Sequence, residues 1–416
     1  MTDPRILSLR EQDVLHDEWL AYRLEQILPK LMQRTKIDLW IVLSREYNED
    51  PVMFSLLPAT SLNASRLTGF VYALNDEGQV DCYSLSSKTA KRYAPFYKAV
   101  WAKGDETQFE CLTRLIADKD PQRIGIDVSE TFALADGLSK TLYDQLVAAL
   151  NEPYRQRLVS AEELAVGWLE TRSPLELAAY PELNHIAHGL IAEAFSKQAI
   201  EVGVTTTTDL EYYMLQRAID LGLGFWFHFD VDIQRHQDVE GDPDKKTVRP
   251  GDLLHCDVGI CYKGLKTDTQ RLAYVLQEGE IDAPEGLKAL FRSANQFQDI
   301  VSANFCKGRT GNEILASSLA EAKTTGLNAT LYSHPIGVHG HAAGTIMGLW
   351  DHQEGVPGRG DYPLYANTCH ALELNTKMPV PEWDDKVVQA SLEQTVAFTG
   401  GEVVYLDGRQ TALILV

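Results

Sequence analysis

Residues 255–271, HCDVGICYKGLKTDTQR, constrain the chain more than any other stretch. Asp257 precedes a turn-like Cys261-Tyr262-Lys263-Gly264 and Asp268 follows it at a similar distance, which reads as a β-hairpin. With the turn centred between Tyr262 and Lys263, Asp257 falls opposite Asp268, and opposed residues point to one face of a sheet. Two like charges with Cβ atoms about 5 Å apart destabilise a ladder unless something positive lies between them. Oxygen ligands of this kind suit Mg, Mn, Zn or Co better than a soft, thiophilic metal. The alternative for this stretch by itself is a solvent-facing hairpin with hydrated aspartates. Cys256, next to Asp257 on the strand, points to the other face and is expected to be buried packing rather than a ligand.

At 416 residues the chain exceeds one ordinary core, so two or three domains are expected. Apolar residues make up 44%, a globular composition. No run of about 18 apolar residues is present to span a bilayer, and charges interrupt the first twenty residues too often for a leader. These features predict a cytoplasmic protein with no membrane association. With 59 acidic against 38 basic residues the formal charge is −21, which repels phosphate backbones and anionic lipid, so nucleic acid is not an expected partner. Six cysteines show no Cys-x-x-Cys pair, as for thiols kept reduced.

Along the chain, residues 12–35 carry a helical pattern and 37–43 a buried-strand run. Further strands are predicted at 69–74, 79–84 and 123–127, with helices at 87–100, 106–118 and 136–150. This alternation indicates an N-terminal α/β domain, taken as 1–165, followed by a second domain over 166–416, with 151–172 as the join. A helix then opens at Pro174 and runs to about 200, carrying His185 and His188 at i, i+3; no third metal ligand is near them in sequence. Thr208 is the expected cap of a helix over 209–221. The run Gly224-Phe225-Trp226-Phe227-His228-Phe229-Asp230 is too aromatic for an exposed loop and reads as the wall of a pocket. Charges mark residues 231–246 as a loop containing His236. Helices are predicted at 284–304 and 311–325.

His334, His339 and His341 then fall within eight residues beside Gly337, Gly340 and Gly344, which suggests backbone held close to a site. Glu373 and Glu393 each sit inside an apolar, strand-like pattern, where an unpaired carboxylate is costly to bury. Either alone reads as an edge-strand surface residue; together with two opposed aspartates and a histidine cluster, they read as a metal site.

From about Arg172 to its end the chain resembles the pita-bread metallopeptidases, which include methionine aminopeptidase, aminopeptidase P and prolidase, together with metal-free creatinase. The resemblance implies an α+β fold: a C-terminal pita-bread domain behind a smaller creatinase-like α/β domain, whose Ser65-Arg66-Leu67-Thr68-Gly69-Phe70 is similar to a segment of the Xaa-Pro branch. It implies a ligand set of Asp257, Asp268, His334, Glu373 and Glu393 for two divalent ions, manganese expected and cobalt or zinc as alternatives. Arg271 also fits the pattern. By the same resemblance His341 contacts substrate or the tetrahedral intermediate, Glu373 shuttles a proton, and the histidine upstream of the first aspartate is His236, with His228 as its rival. The implied activity is hydrolysis at an N-terminal Xaa-Pro bond of a small peptide substrate by a homodimer. The alternatives are a metal-free creatinase-like C–N hydrolase or a non-catalytic binding module on this fold. Ser333, Thr330, Leu374-Asn375 and Ser391 depart from the pattern at positions flanking the ligands.

Overall fold

In the computed structural model, which describes residues 4–87, 91–237 and 242–416, the chain divides into two compact units, Leu7–Ser173 and Pro174–Val416, with residues 4–6 grouped with the second. The division therefore falls at Ser173 rather than at 165. The expected join is structured: Leu158–Ser160 adds an edge strand, and Glu162–Glu170 is a helix that buries Leu164, Val166, Trp168 and Leu169.

In the first unit the apolar run 37–43 becomes the strand Leu39–Arg45, in the interior of a six-stranded mixed sheet. It pairs antiparallel with Leu67–Leu74 and parallel with Ile124–Ile126. Leu112 and Ile116 of the helix Gln108–Lys119, and Leu142 and Leu146 of Lys140–Ala149, close the core over Leu39, Ile41 and Val71. The first helix, Leu9–Tyr22, continues through a π-helical turn, Arg23–Ile27, into Leu28–Thr35. Pro29 there has no N–H to return to the preceding turn, which explains a wider turn at that point. The helix expected over 87–100 is not formed in its described part, which is a 3₁₀ turn, Lys91–Tyr93, and a strand, Lys98–Trp101; residues 88–90 lie outside the described residues. Pro95 interrupts the pattern, and Tyr93 and Tyr97 turn inward around Phe70, with Tyr97 stacked on it at 4.2 Å.

The second unit is built on an eight-stranded sheet whose main path runs Asn328–Pro335, Thr368–Val380, Lys386–Phe398, Thr269–Tyr274, Leu253–Val258 and Asp230–Gln234, antiparallel throughout. Leu372, Leu374 and Leu392 alternate with the two glutamates along their strands. They join a core with Leu290, Phe291 and Phe297 of the helix Glu285–Asn304 and Ile314 and Leu315 of Gly311–Thr324. With strands and helices segregated in this way, the unit has the α+β organisation expected. Thr206, not Thr208, caps the helix Thr207–Asp220, because Asp209 stands three residues after it and closes a capping box. The charged stretch from Val231 begins as the strand Asp230–Gln234 rather than as a loop; its residues 238–241 lie outside those described.

The hairpin itself is shifted from the expected register. Its turn is Lys263-Gly264, both with positive φ (54° and 73°), which is the combination a two-residue type I′ turn requires. Tyr262 therefore pairs with Leu265, and Asp257 lies opposite Gln270, not Asp268. The correction is two residues, so Asp268 stays on the face of Asp257, one step along the strand direction.

Candidate metal centre

The register lays the site out as two rows across the sheet. In the first, Asp257 faces Gln270, Gln270 faces Glu393, Glu393 faces Glu373, and Glu373 faces Tyr332. Directly paired residues share a face, so these side chains stand side by side. Two residues along, Asp268 and His334 occupy the same face, with Thr395 and the small Ala371 between them; Thr395 Oγ1 accepts from the Asp268 amide at 3.1 Å.

Two groups of ligand atoms result, each spanning no more than 4.8 Å: Asp268, His334 and Glu393, and Asp257, Glu373 and Glu393. They share Glu393. His334 Nε2 lies 3.4 Å from Asp268 Oδ2 and 4.0 Å from Glu393 Oε1. Its Nδ1 donates to the Pro335 carbonyl at 3.0 Å, which fixes the tautomer that leaves Nε2 with a lone pair. All five residues implied by the ligand pattern are thus brought together.

Burial makes the cluster costly. Glu393 is 1% exposed, Asp268 4% and Glu373 7%, and among the described residues no Lys or Arg is ion-paired with any of the four carboxylates. Burial, then the field of Asp268, pushes Asp257 and Glu393 well above the usual carboxylate range; Asp268 is raised by burial. Glu373 is raised to about 9 by burial and then by Asp268 and Asp257. His334 is lowered to about 4 by burial, so it is a neutral donor atom at pH 7. Asp257 Oδ1, Asp268 Oδ1, His334 Nε2 and both Glu393 oxygens are buried with no hydrogen-bond partner. Orphaned acceptors of this kind are uncommon in folded proteins. Four carboxylates and one imidazole, aimed at one another and otherwise unsatisfied, fit a pair of hard to borderline divalent ions.

His341 stands beside this group, its ring centroid 4.6 Å from that of His334 and 5.2 Å from that of Trp226. The residue remains exposed, yet partial burial, with His334 and Arg359 adding to it, lowers its pKa to about 4. Trp226, from the aromatic run, is pinned by Nε1 donating to the Thr267 carbonyl at 2.9 Å, and Tyr332 packs against both His334 and His341. Of the aromatic run, Trp226 stands beside His341 with Phe227 edge-on to it at 4.6 Å, whereas Phe225 is exposed, against the expectation for the run. His236 is not brought to the cluster. The strand Asp230–Gln234 sets Asp230 against Asp257 and carries the chain away from it, so His236 ends beside Asp384, at 2.8 Å, and Trp383. His228 precedes the Asp257 end of that strand, with Nδ1 donating to the Phe229 carbonyl at 2.9 Å. His185 and His188 both face Asp407, at 3.4 and 2.9 Å. Gln270, in the middle of the first row, went unread in the sequence because it is neutral; its signal was its position two residues after Asp268.

The sequence of residues 181–400, more than half of the chain, matches the model of metallopeptidase family M24. The chain belongs to that family, whose members usually bind divalent metals. No curated protein matches it in sequence. Among solved structures it is similar to an X-Pro aminopeptidase from Thermotoga maritima, at 14% identity and a TM-score of 0.64 over 93% of this chain and 100% of that one. It is similar to an Xaa-Pro dipeptidase from Bacillus anthracis, at 15% identity and 0.60 over 98% and 100%. The N-terminal domain of the FACT complex subunit SPT16 from Cicer arietinum also matches, at 12% identity and 0.56 over 98% of each chain. The fold is therefore the pita-bread fold with its N-terminal domain. Among the described residues, no helix is long and apolar enough to cross a membrane.

Proposed function

We propose that the protein is a two-metal exopeptidase that hydrolyses the bond before proline at the N-terminus of a small peptide, as an Xaa-Pro aminopeptidase or Xaa-Pro dipeptidase. The observation that carries this reading is the set of buried, unsatisfied ligand atoms on Asp257, Asp268, His334 and Glu393, with Glu373 grouped beside Asp257 and Glu393. Bound there, two divalent ions, manganese expected and cobalt or zinc as alternatives, supply Lewis-acid polarisation of the carbonyl and a water of lowered pKa. Asp257, Asp268, His334, Glu373 and Glu393 would hold the ions, with Glu393 common to both groups of ligand atoms. Glu373 takes the proton of the attacking water and passes it to the leaving amine. His341, neutral at pH 7 and open to substrate, donates an N–H to the oxyanion that forms on attack.

Two solved neighbours described as Xaa-Pro peptidases favour this substrate class. The SPT16 neighbour, described as a subunit of a complex, favours a binding module as the second reading. An intact ligand set argues against that reading and against metal-free creatinase-like chemistry. The test is a panel of Xaa-Pro dipeptides, longer Xaa-Pro peptides and proline-free controls, with and without a chelator. Chelator-sensitive release of the N-terminal residue from Xaa-Pro substrates is expected. Hydrolysis that is indifferent to chelation, or no hydrolysis of any peptide with manganese added, would overturn the proposal.

A further inference from the structure

Gln270 lies between Asp257 and Glu393 in the first row and is 3% exposed. Its side-chain Nε2 donates to Glu373 Oε1 at 2.6 Å and, more weakly, to Asp257 Oδ2 at 3.3 Å. Its Oε1 accepts from His255 Nε2 at 2.9 Å. In this orientation the amide N–H₂ has two acceptors and its oxygen one donor. His255 is in turn approached by Asp232, whose Oδ2 lies 3.8 Å from Nδ1. What remains after these bonds is Asp257 Oδ1, buried and unsatisfied.

We propose that Gln270 is the positioning residue of the metal centre: its carboxamide, oriented by His255, clamps Glu373 to Asp257 and occupies one oxygen of each, so that each presents its other oxygen to an ion. This rests on the two-metal reading above. Gln270 holds the acids at a set separation before an ion arrives and spares the ion part of the cost of ordering them. The residue acts through Glu373 and Asp257, and His255 acts through Gln270.

The test is calorimetric titration of the ion-free full chain with Mn²⁺, using wild type, Gln270→Met, His255→Ala and the double variant, with thermal unfolding recorded for each. Gln270→Met keeps the volume and removes both polar atoms. It should weaken Mn²⁺ binding by about 10- to 100-fold, the usual effect of losing a partner of a metal ligand. His255→Ala should cost less by itself and nothing further in the Gln270→Met background, the non-additivity of residues acting in series. Should Gln270→Met fail to fold, Gln270→Asn, whose amide is too short to reach Glu373, takes its place with the same expectation. Wild-type affinity in the Gln270 variants, or a His255 loss that simply adds, overturns the inference. If wild type binds manganese and hydrolyses peptides while the variants do so equally well, only this inference falls. A wild type that takes up no manganese removes the two-metal reading and the clamp with it.

Discussion

His334 and His341 are seven positions apart, the first in the strand Asn328–Pro335 and the second in the stretch after it, and the proposed function gives them different work. His334 is 2% exposed, with Nε2 aimed at Asp268 and Glu393, whereas His341 is exposed and flanked by Trp226 and Tyr332. Removing the first should empty part of the metal site; removing the second should leave it filled. For His341→Ala we expect normal metal content and a fall in kcat on the order of 10² to 10³-fold, the effect of losing one oxyanion donor, with KM little changed. For His334→Ala we expect lower metal content together with lower turnover. Steady-state kinetics with metal analysis on the same preparations decides. A His341→Ala enzyme within a few-fold of wild type would leave that histidine no part in the chemistry.

At the scale of elements, the aromatic run and the glycine-rich loop are fitted to each other. A Cβ on Gly340 would stand 2.3 Å from ring atoms of Trp226, and one on Gly259 would meet the rings of Phe227 and Trp226 at the same distance. The indole is wedged against two backbones and stands nearly perpendicular to the ring of His341. Gly340→Ala should therefore push Trp226 off its bond to the Thr267 carbonyl, cost about 1–3 kcal/mol as overpacking, and lower kcat at least tenfold with metal content intact. An alanine variant with wild-type kinetics and unchanged tryptophan fluorescence would contradict this. The elements that carry the site were largely legible because alternation with period two marks Glu373 and Glu393 as one face against Leu372, Leu374 and Leu392. The hairpin was legible as a hairpin, but its register was not: Lys263 adopts positive φ, a conformation expected of Asn, Asp or Gly, so the turn carried a weak signal. Gln270 could not announce itself by charge. His236 stands in a polar stretch, and only the pairing of Asp230 with Asp257 reveals which end of that strand faces the cluster. In the first unit, the inward packing of Tyr93 and Tyr97 overrides a helical pattern that composition alone supports.

For the whole molecule, the question is what balances four clustered carboxylates, three buried and Asp257 half-buried, in a chain of formal charge −21. The ion-free protein balances them with protons: Glu373, ordinarily near 4.5, is held to about 9, and its neighbours are also raised. At pH 7 that carboxyl is still protonated, so an arriving cation must expel the proton. Apparent affinity for the ion should then rise as the pH is raised toward about 9 and fall as it is lowered. The most direct test of the account is titration of the ion-free chain with Mn²⁺ at pH 7 in two buffers of different protonation enthalpy, which counts ions and released protons together. The account predicts two ions per chain with net proton release. No binding, or a single ion taken up without proton release, would contradict it.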